Sequence, residues 1–166
     1  MKNTLVLGLG NILLSDEGLG VRVVERIQER YEFPSVVQVL DGGTLGFDLL
    51  PYVENANHLL VVDAVEMGAT PGTLARLEGE EIPAFLGVKI SPHQIGLADL
   101  LVAARLSDIY PQELVLWGAQ PESLDVGLEL SPSVAAQVET LVERVLAELR
   151  RWGIEATRRE KQEEST

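Results

Sequence analysis

Cysteine is absent from this 166-residue chain. A disulfide framework, a thiolate nucleophile and a zinc site with sulfur ligands are therefore excluded, and any metal ion must be held by oxygen and nitrogen. Long apolar runs are missing too, because no stretch approaches the about 18 uninterrupted apolar residues that a membrane helix needs. The amino terminus lacks the features of a signal peptide. We therefore expect a cytoplasmic protein with no membrane partner.

Basic residues are scarce: 13 lysines and arginines stand against 26 aspartates and glutamates, which gives a net charge of −13. A surface of this sign repels a phosphate backbone, so we expect no nucleic-acid partner. An acidic surface favours cations or basic peptides, although solubility alone accounts for most such charge. Net charge bears on association and not on the fold.

Short apolar blocks alternate with segments of helical periodicity along the chain. The blocks predict strands over residues 4–9, 36–40, 58–65 and 113–118, with a shorter strand at 73–77 in an edge hairpin. A helix is predicted over residues 20–31, and a short helix is predicted after Thr44. A third helix is predicted to begin at Ser91-Pro92, and a fourth to run from Ser131-Pro132 to Gly153.

This alternation predicts an α/β domain, a three-layer sandwich whose mainly parallel, twisted sheet carries helices on both faces. The domain is expected to comprise residues 1–153. Residues 154–166 are expected to form a charged tail, disordered or frayed from Thr157 onward, because it lacks apolar periodicity.

Acidic and amide side chains follow several of the predicted strands. In such sheets ligands bind at the carboxyl ends of the strands. The polar residues in the loops at that edge are Asn11, Asp16, Glu17, Asp41, Asp63, Glu66 and Gln120. We expect them to converge, with His93 entering from the start of a helix, where the helix dipole favours a neutral imidazole.

Two carboxylates and one imidazole form a common ligand set for a borderline divalent ion such as zinc or nickel. A cation would also relieve the repulsion between carboxylates crowded in one cleft. The sequence therefore predicts a metal site at this edge of the sheet.

Each candidate also has a structural interpretation. Asp16 and Glu17 suit the first turn of a helix, and Asp41 begins a turn sequence, Asp41-Gly42-Gly43. His93 could simply be a satisfied histidine at a helix start. Asp63 favours function more strongly, because it ends an apolar central strand where an unpaired carboxylate is costly.

Several motifs, in their order along the chain, closely resemble those of the hydrogenase maturation proteases. The match spans about residues 3 to 150, and its specificity comes from the set and not from any single motif. The motifs are Gly8-Leu9-Gly10-Asn11, Ser15-Asp16-Glu17-Gly18-Leu19-Gly20, Asp41-Gly42-Gly43-Thr44, Val62-Asp63-Ala64, Ser91-Pro92-His93, Gly118-Ala119-Gln120-Pro121 and Leu130-Ser131-Pro132.

The resemblance implies an endopeptidase that removes the C-terminal extension of the large-subunit precursor of nickel-iron hydrogenase after nickel insertion. It implies that Glu17, Asp63 and His93 are the metal ligands. Nickel is then supplied by the precursor, and zinc or cadmium could occupy the same site.

The general base is left open between Asp41 and Asp16, and polarisation by the metal alone is a rival mechanism. Asp41 matches a further acidic residue that is important in some family members. Asn11, Gly42 and Gln120 are expected to contact the substrate.

Three other classes share part of the pattern. A peptidyl-tRNA hydrolase-like esterase shares the Gly-Leu-Gly-Asn segment but needs a basic surface for tRNA. A non-enzymatic module that binds metal or receives phosphate is another alternative. A phosphate receiver would use Asp63 as acceptor but expects a lysine after the last strand, and 117–121 contains none. A dinucleotide-binding oxidoreductase expects a third glycine at position 13, which is Leu13.

Overall fold

A computed structural model describes residues 2–88 and 95–160. The strands are β1 (Thr4–Leu9), β2 (Tyr31–Glu32), β3 (Val37–Gly43), β4 (His58–Ala64), β5 (Leu74–Glu78), β6 (Glu113–Ala119) and β7 (Thr157–Arg158). The helices are α1 (Leu19–Arg30), α2 (Leu50–Glu54), α3 (Glu81–Val88), α4 (Ile95–Leu106), α5 (Pro132–Ala135) and α6 (Val138–Arg151). Two 3-10 turns, Ser15–Gly18 and Gly46–Leu49, precede α1 and α2.

The central sheet has five strands in the order β3-β1-β4-β6-β5. The first four are parallel, and β5 is antiparallel to β6 at one edge. The carboxyl ends of β1, β3, β4 and β6 therefore meet at one edge of the sheet. The predicted α/β class and the mainly parallel sheet are confirmed.

Two hydrophobic layers cover the sheet, one on each face. Alternate residues of β1 show the division, because Leu5 and Leu7 contribute to the core beneath α2, α3 and α4, whereas Val6 contributes to the core beneath α1 and α6. The central strand β4 is buried along its whole length, as expected for a parallel strand covered on both faces. The three-layer arrangement is confirmed.

Helix α1 approaches the sheet closely because two glycines face each other. A side chain at position 20 would place its Cβ atom 2.0 Å from the carbonyl oxygen of Val62, and one at position 8 would place it 2.4 Å from the carbonyl oxygen of Gly20. The turn Ser15–Gly18 leads directly into this helix. The side chains of the Ser15–Gly18 turn are therefore fixed at the carboxyl edge of the sheet.

Three expectations need correction. The strand predicted at 73–77 exists as β5, but it pairs with β6 and does not form a hairpin with a neighbouring strand. The helix that follows it, α3, was not predicted. Thr157 and Arg158 are not frayed, because they form β7, which pairs with β2. Ile154 is buried in the core, so the packed region extends past residue 153.

The Ser91-Pro92 helix start lies outside the described residues, and α4 is described from Ile95. Within the described ranges, every helix is too short or too polar to cross a membrane.

Candidate active site

Asp63 lies near the carboxyl end of the central strand β4 with a side chain that is almost completely buried. The residue is 2% exposed, and its Oδ1 atom accepts a hydrogen bond of 2.8 Å from the backbone N–H of Ala64. Burial raises the pKa of this carboxyl well above its usual range, the bond from Ala64 partly opposes that rise, and the nearby negative charge of Glu17 adds to it. A cation beside Asp63 would favour its ionised form.

Glu17 reaches the same place from the 3-10 turn that precedes α1. Gly10 shows how close the approach is, because a side chain there would place its Cβ atom 1.8 Å from the backbone oxygen of Glu17 and 3.6 Å from Oδ1 of Asp63. Gly10 also has a φ of +119°, which L-amino acids with side chains rarely adopt. The glycine therefore allows the chain that leaves β1 to pass close to both Glu17 and Asp63.

A cavity of about 190 Å³ opens beside Glu17. Drug-sized ligands occupy about 300–1,000 Å³, so this volume suits a single side chain or a short piece of peptide. Its walls are mostly leucine side chains and glycine backbone. The lining residues are Leu9, Gly10, Glu17, Gly43, Thr44, Gly46, Leu49, Gly96, Leu97 and Leu100.

Asp41 lies near the end of β3 and is exposed. Its carboxylate is beside Gly43, because a Cβ atom at position 43 would lie 3.5 Å from Oδ1 of Asp41. Gly43 lines the cavity, so Asp41 stands close to it. Gly42 is buried, and a side chain there would collide with Leu7. The structure therefore gives Gly42 a packing role, and its contact with substrate stays a prediction.

Asp16 is completely buried, and its carboxylate holds the Ser15–Gly18 turn against the loop between β6 and α5. It accepts bonds from the backbone N–H groups of Glu122, Ser123 and Ser131 and from the hydroxyl of Ser131, at 2.7–3.0 Å. Burial alone would raise the pKa of Asp16, but these four hydrogen bonds outweigh it and hold the pKa below its usual value. This geometry favours a structural role over that of general base.

The remaining predicted contact residues also bond within the protein. The side-chain oxygen of Asn11 accepts a bond from the N–H of Leu13, at 2.9 Å. Gln120 is buried and anchors the loop after β4, accepting bonds from the N–H groups of Met67 and Ala69 and donating one to Glu66. Sequence reasoning placed Gln120 at the correct edge but missed this anchoring role.

The structure thus brings Glu17 and Asp63 together, with Asp41 near the same cavity. His93, the third predicted metal ligand, lies outside the described residues. Within the described ranges, no group of three or more histidine, aspartate or glutamate side chains is placed to hold a metal ion. Two carboxylates are therefore the described donors, and their chemistry suits a divalent cation.

Comparison with known proteins identifies the fold and the motifs together. The family model described as hydrogenase maturation protease matches residues 21–148. The chain is also 50% identical over 157 residues to the hydrogenase 2 maturation protease of Escherichia coli (strain K12), covering 94% of this chain and 96% of that protein. This chain belongs to the hydrogenase maturation protease family. The protease is accordingly an endopeptidase.

Solved structures agree with this assignment. The protease resembles the hydrogenase maturating endopeptidase HybD from E. coli with a TM-score of 0.90 and 49% identity, covering 95% of this chain and 98% of that one. It also resembles the [NiFe] hydrogenase maturation protease HybD from Thermococcus kodakarensis, with a TM-score of 0.72 and 30% identity over 86% of this chain and 96% of that one.

Proposed function

We propose that this protease removes the C-terminal extension from the large-subunit precursor of a nickel-iron hydrogenase after nickel has been inserted. The observation that carries the proposal is the buried Asp63 close to Glu17, which itself lines a small cavity, in a chain of this family. Burial and the nearby charge of Glu17 both disfavour the ionised form of Asp63, so a cation bound to its carboxylate would be stabilising. A nickel ion carried by the substrate supplies that cation.

Nickel acts here as part of the substrate. Glu17 and Asp63 would bind it through carboxylate oxygens, and His93 would add an imidazole nitrogen, a donor set that suits a borderline divalent ion. Zinc or cadmium added in solution would compete for the same residues. Recognition of the metal would position the precursor's C-terminal segment against the cavity, so that a precursor without nickel is bound less well.

Hydrolysis needs a base to activate water. Asp41 suits this role better than Asp16, because Asp41 is exposed beside the cavity whereas the carboxylate of Asp16 already accepts four hydrogen bonds. Water would transfer a proton to the Asp41 carboxylate and attack the scissile carbonyl carbon. The peptide C–N bond would then break, with a proton delivered to the leaving amine.

The test of Asp41 is its substitution, Asp41→Asn. We expect turnover of a nickel-loaded precursor to fall by about 100-fold or more, because general-base catalysis commonly contributes that much, while binding of the precursor is retained. Cleavage is measured from the mass of the product, and binding is measured separately. Asp48→Asn, an exposed acid in the neighbouring 3-10 turn, is the matched control. Unchanged turnover, or an equal loss of binding and cleavage, would remove Asp41 from the mechanism.

A further inference from the structure

Three large apolar side chains project into solvent from two loops near the candidate site. Leu13 is 55% exposed, Val126 is 89% exposed and Leu128 is 63% exposed. We call these three residues the apolar ridge. Single exposed apolar residues are common, but a group of them on adjoining loops is typical of an interaction surface.

Backbone hydrogen bonds join the two loops that carry the apolar ridge. The N–H of Gly127 donates to the carbonyl oxygen of Leu13, and the N–H of Ser15 donates to the carbonyl oxygen of Gly127, both at 2.9 Å. The Ser15 hydroxyl bonds to the carbonyl oxygen of Asp125 at 2.7 Å. The apolar ridge is therefore presented by ordered chain.

This presentation requires an unfavourable backbone conformation. Ser15 has a φ of +53°, in the left-handed region that residues other than glycine seldom adopt. The same turn continues into Asp16, which binds the chain on both sides of the ridge at Ser123 and Ser131, and into Glu17 of the candidate site. The apolar ridge is thus structurally continuous with the site.

The margin of the apolar ridge is acidic. Asp125 and Glu129 are exposed next to its members in the sequence, and the whole chain has a net charge of −13. Arg22 touches this loop, but its guanidinium already bonds to the carbonyl oxygen of Leu128 and to Glu25. A second copy of the chain would bring a similar acidic margin against this one, which is unfavourable.

We propose that the apolar ridge is the docking surface for the folded part of the hydrogenase large-subunit precursor, which would meet it with an apolar patch surrounded by basic residues. This inference rests on the proposed function. Docking here would hold the precursor while its C-terminal segment enters the neighbouring site, so the apolar ridge contributes to binding and not to the chemical step.

The test is the double variant Val126→Ser plus Leu128→Ser, with Leu13→Ser as an independent second variant. We expect the KM for a nickel-loaded precursor to rise by about tenfold with kcat unchanged, because loss of uniform binding raises KM alone. The matched control is Val102→Ser plus Leu106→Ser, which removes equally exposed apolar side chains, at 60% and 84% exposure, from helix α4. The control should leave KM unchanged.

Direct binding of the uncleaved precursor to each variant is measured in parallel. If the wild type binds the precursor but does not cleave it, the proposed function fails. The apolar ridge is then still tested by comparing the binding constants of the wild type and the ridge variants for the precursor. Equal binding by wild type and ridge variants would overturn the proposal, as would an equal loss in the α4 control. A wild-type dimer that the ridge substitutions dissociate would also overturn it, because the surface would then join copies of this chain.

Discussion

Asp63 carries its carboxyl group in the buried end of a central strand, where burial raises its pKa. A carboxyl whose pKa is higher in the folded state than in the unfolded state binds protons better when folded, so the free energy of unfolding falls as pH rises from the usual carboxyl range toward the raised value. Asp63→Asn lacks this ionisation. The stability of the variant relative to wild type should therefore increase as pH rises above the usual carboxyl range.

Added metal ions should make the wild type more stable than Asp63→Asn. Nickel or zinc would bind the ionised carboxylate of the wild type and raise its melting temperature, whereas Asp63→Asn should show little response. Thermal unfolding with and without metal measures both effects, and Asp48→Asn serves as the control. A variant that still responds to metal like the wild type would exclude Asp63 as a ligand.

Asp16 is predicted to stabilise the fold and not to take part in the reaction. Asp16→Ala should lower the free energy of unfolding by about 3 kcal/mol near neutral pH, because it leaves several backbone N–H groups without their acceptor. Because the pKa of Asp16 is lowered, its contribution is present above the usual carboxyl pKa and is lost as pH falls through the lowered value.

Urea unfolding at neutral and acid pH measures the effect of Asp16→Ala. The control is Asp125→Ala, an exposed neighbour in the loop that Asp16 holds. If Asp16→Ala unfolds like the wild type yet fails to cleave precursor, the structural interpretation is wrong and the general-base hypothesis regains support.

The two residues show which parts of a site can be inferred from sequence. Asp63 could be inferred because an acid ends an unbroken apolar strand, which is a local signal. The role of Asp16 could not, because its partners Glu122 and Ser131 lie 106 and 115 positions away in the chain. The Leu130-Ser131-Pro132 motif marked one partner as notable, but it gave no indication of which side chain Ser131 would meet.

Helix α4 supplies one wall of the cavity beside Glu17 through its first described turn. Gly96 lines the cavity, and a Cβ atom there would meet no atom of the described residues within 4 Å. Gly96→Leu should therefore fold normally but occupy space that substrate needs, lowering kcat/KM by about tenfold. A graded series through Gly96→Ala should give an intermediate loss.

Gly87→Leu is the matched control for this prediction. Gly87 is likewise an exposed helical glycine whose Cβ atom would meet nothing within 4 Å in the part of the chain that the structure describes, but it lines the separate groove between α3 and α4. Cleavage of the same precursor is measured for all the variants. Equal activity of Gly96→Leu and Gly87→Leu would show that the cavity does not receive substrate.

Elements with strong periodicity were predictable, and the weaker ones were not. The amphipathic pattern of α6 and the apolar block of β4 are each sufficient to identify a helix and a buried strand. Helix α3 carries Pro83 in its first turn and Gly87 near its end, so its residues favour a loop on propensity, although proline is tolerated in a first turn. Strand β7 is two residues long and exposed, so its sequence carries no apolar pattern from which its pairing with β2 could be predicted.

At the scale of the whole molecule, the fold follows from alternating strands and helices, since right-handed crossovers bring the carboxyl ends of parallel strands to one edge. That rule alone predicts that Glu17, Asp41 and Asp63 lie in one region. It could not give the rotation of each side chain, which depends on packing such as the Gly10 approach. The cavity wall from α4 depends on that packing as well.

We expect this protease to cleave a hydrogenase precursor only when nickel is present in it. The most direct measurement incubates the purified protein with nickel-loaded and nickel-free forms of the same large-subunit precursor and determines the mass of every product. We expect that the loaded precursor loses its C-terminal extension, that the nickel-free precursor keeps its full mass, and that Glu17→Gln and His93→Ala leave both uncut. Equal cleavage of the two precursors, or normal processing by either variant, would contradict it.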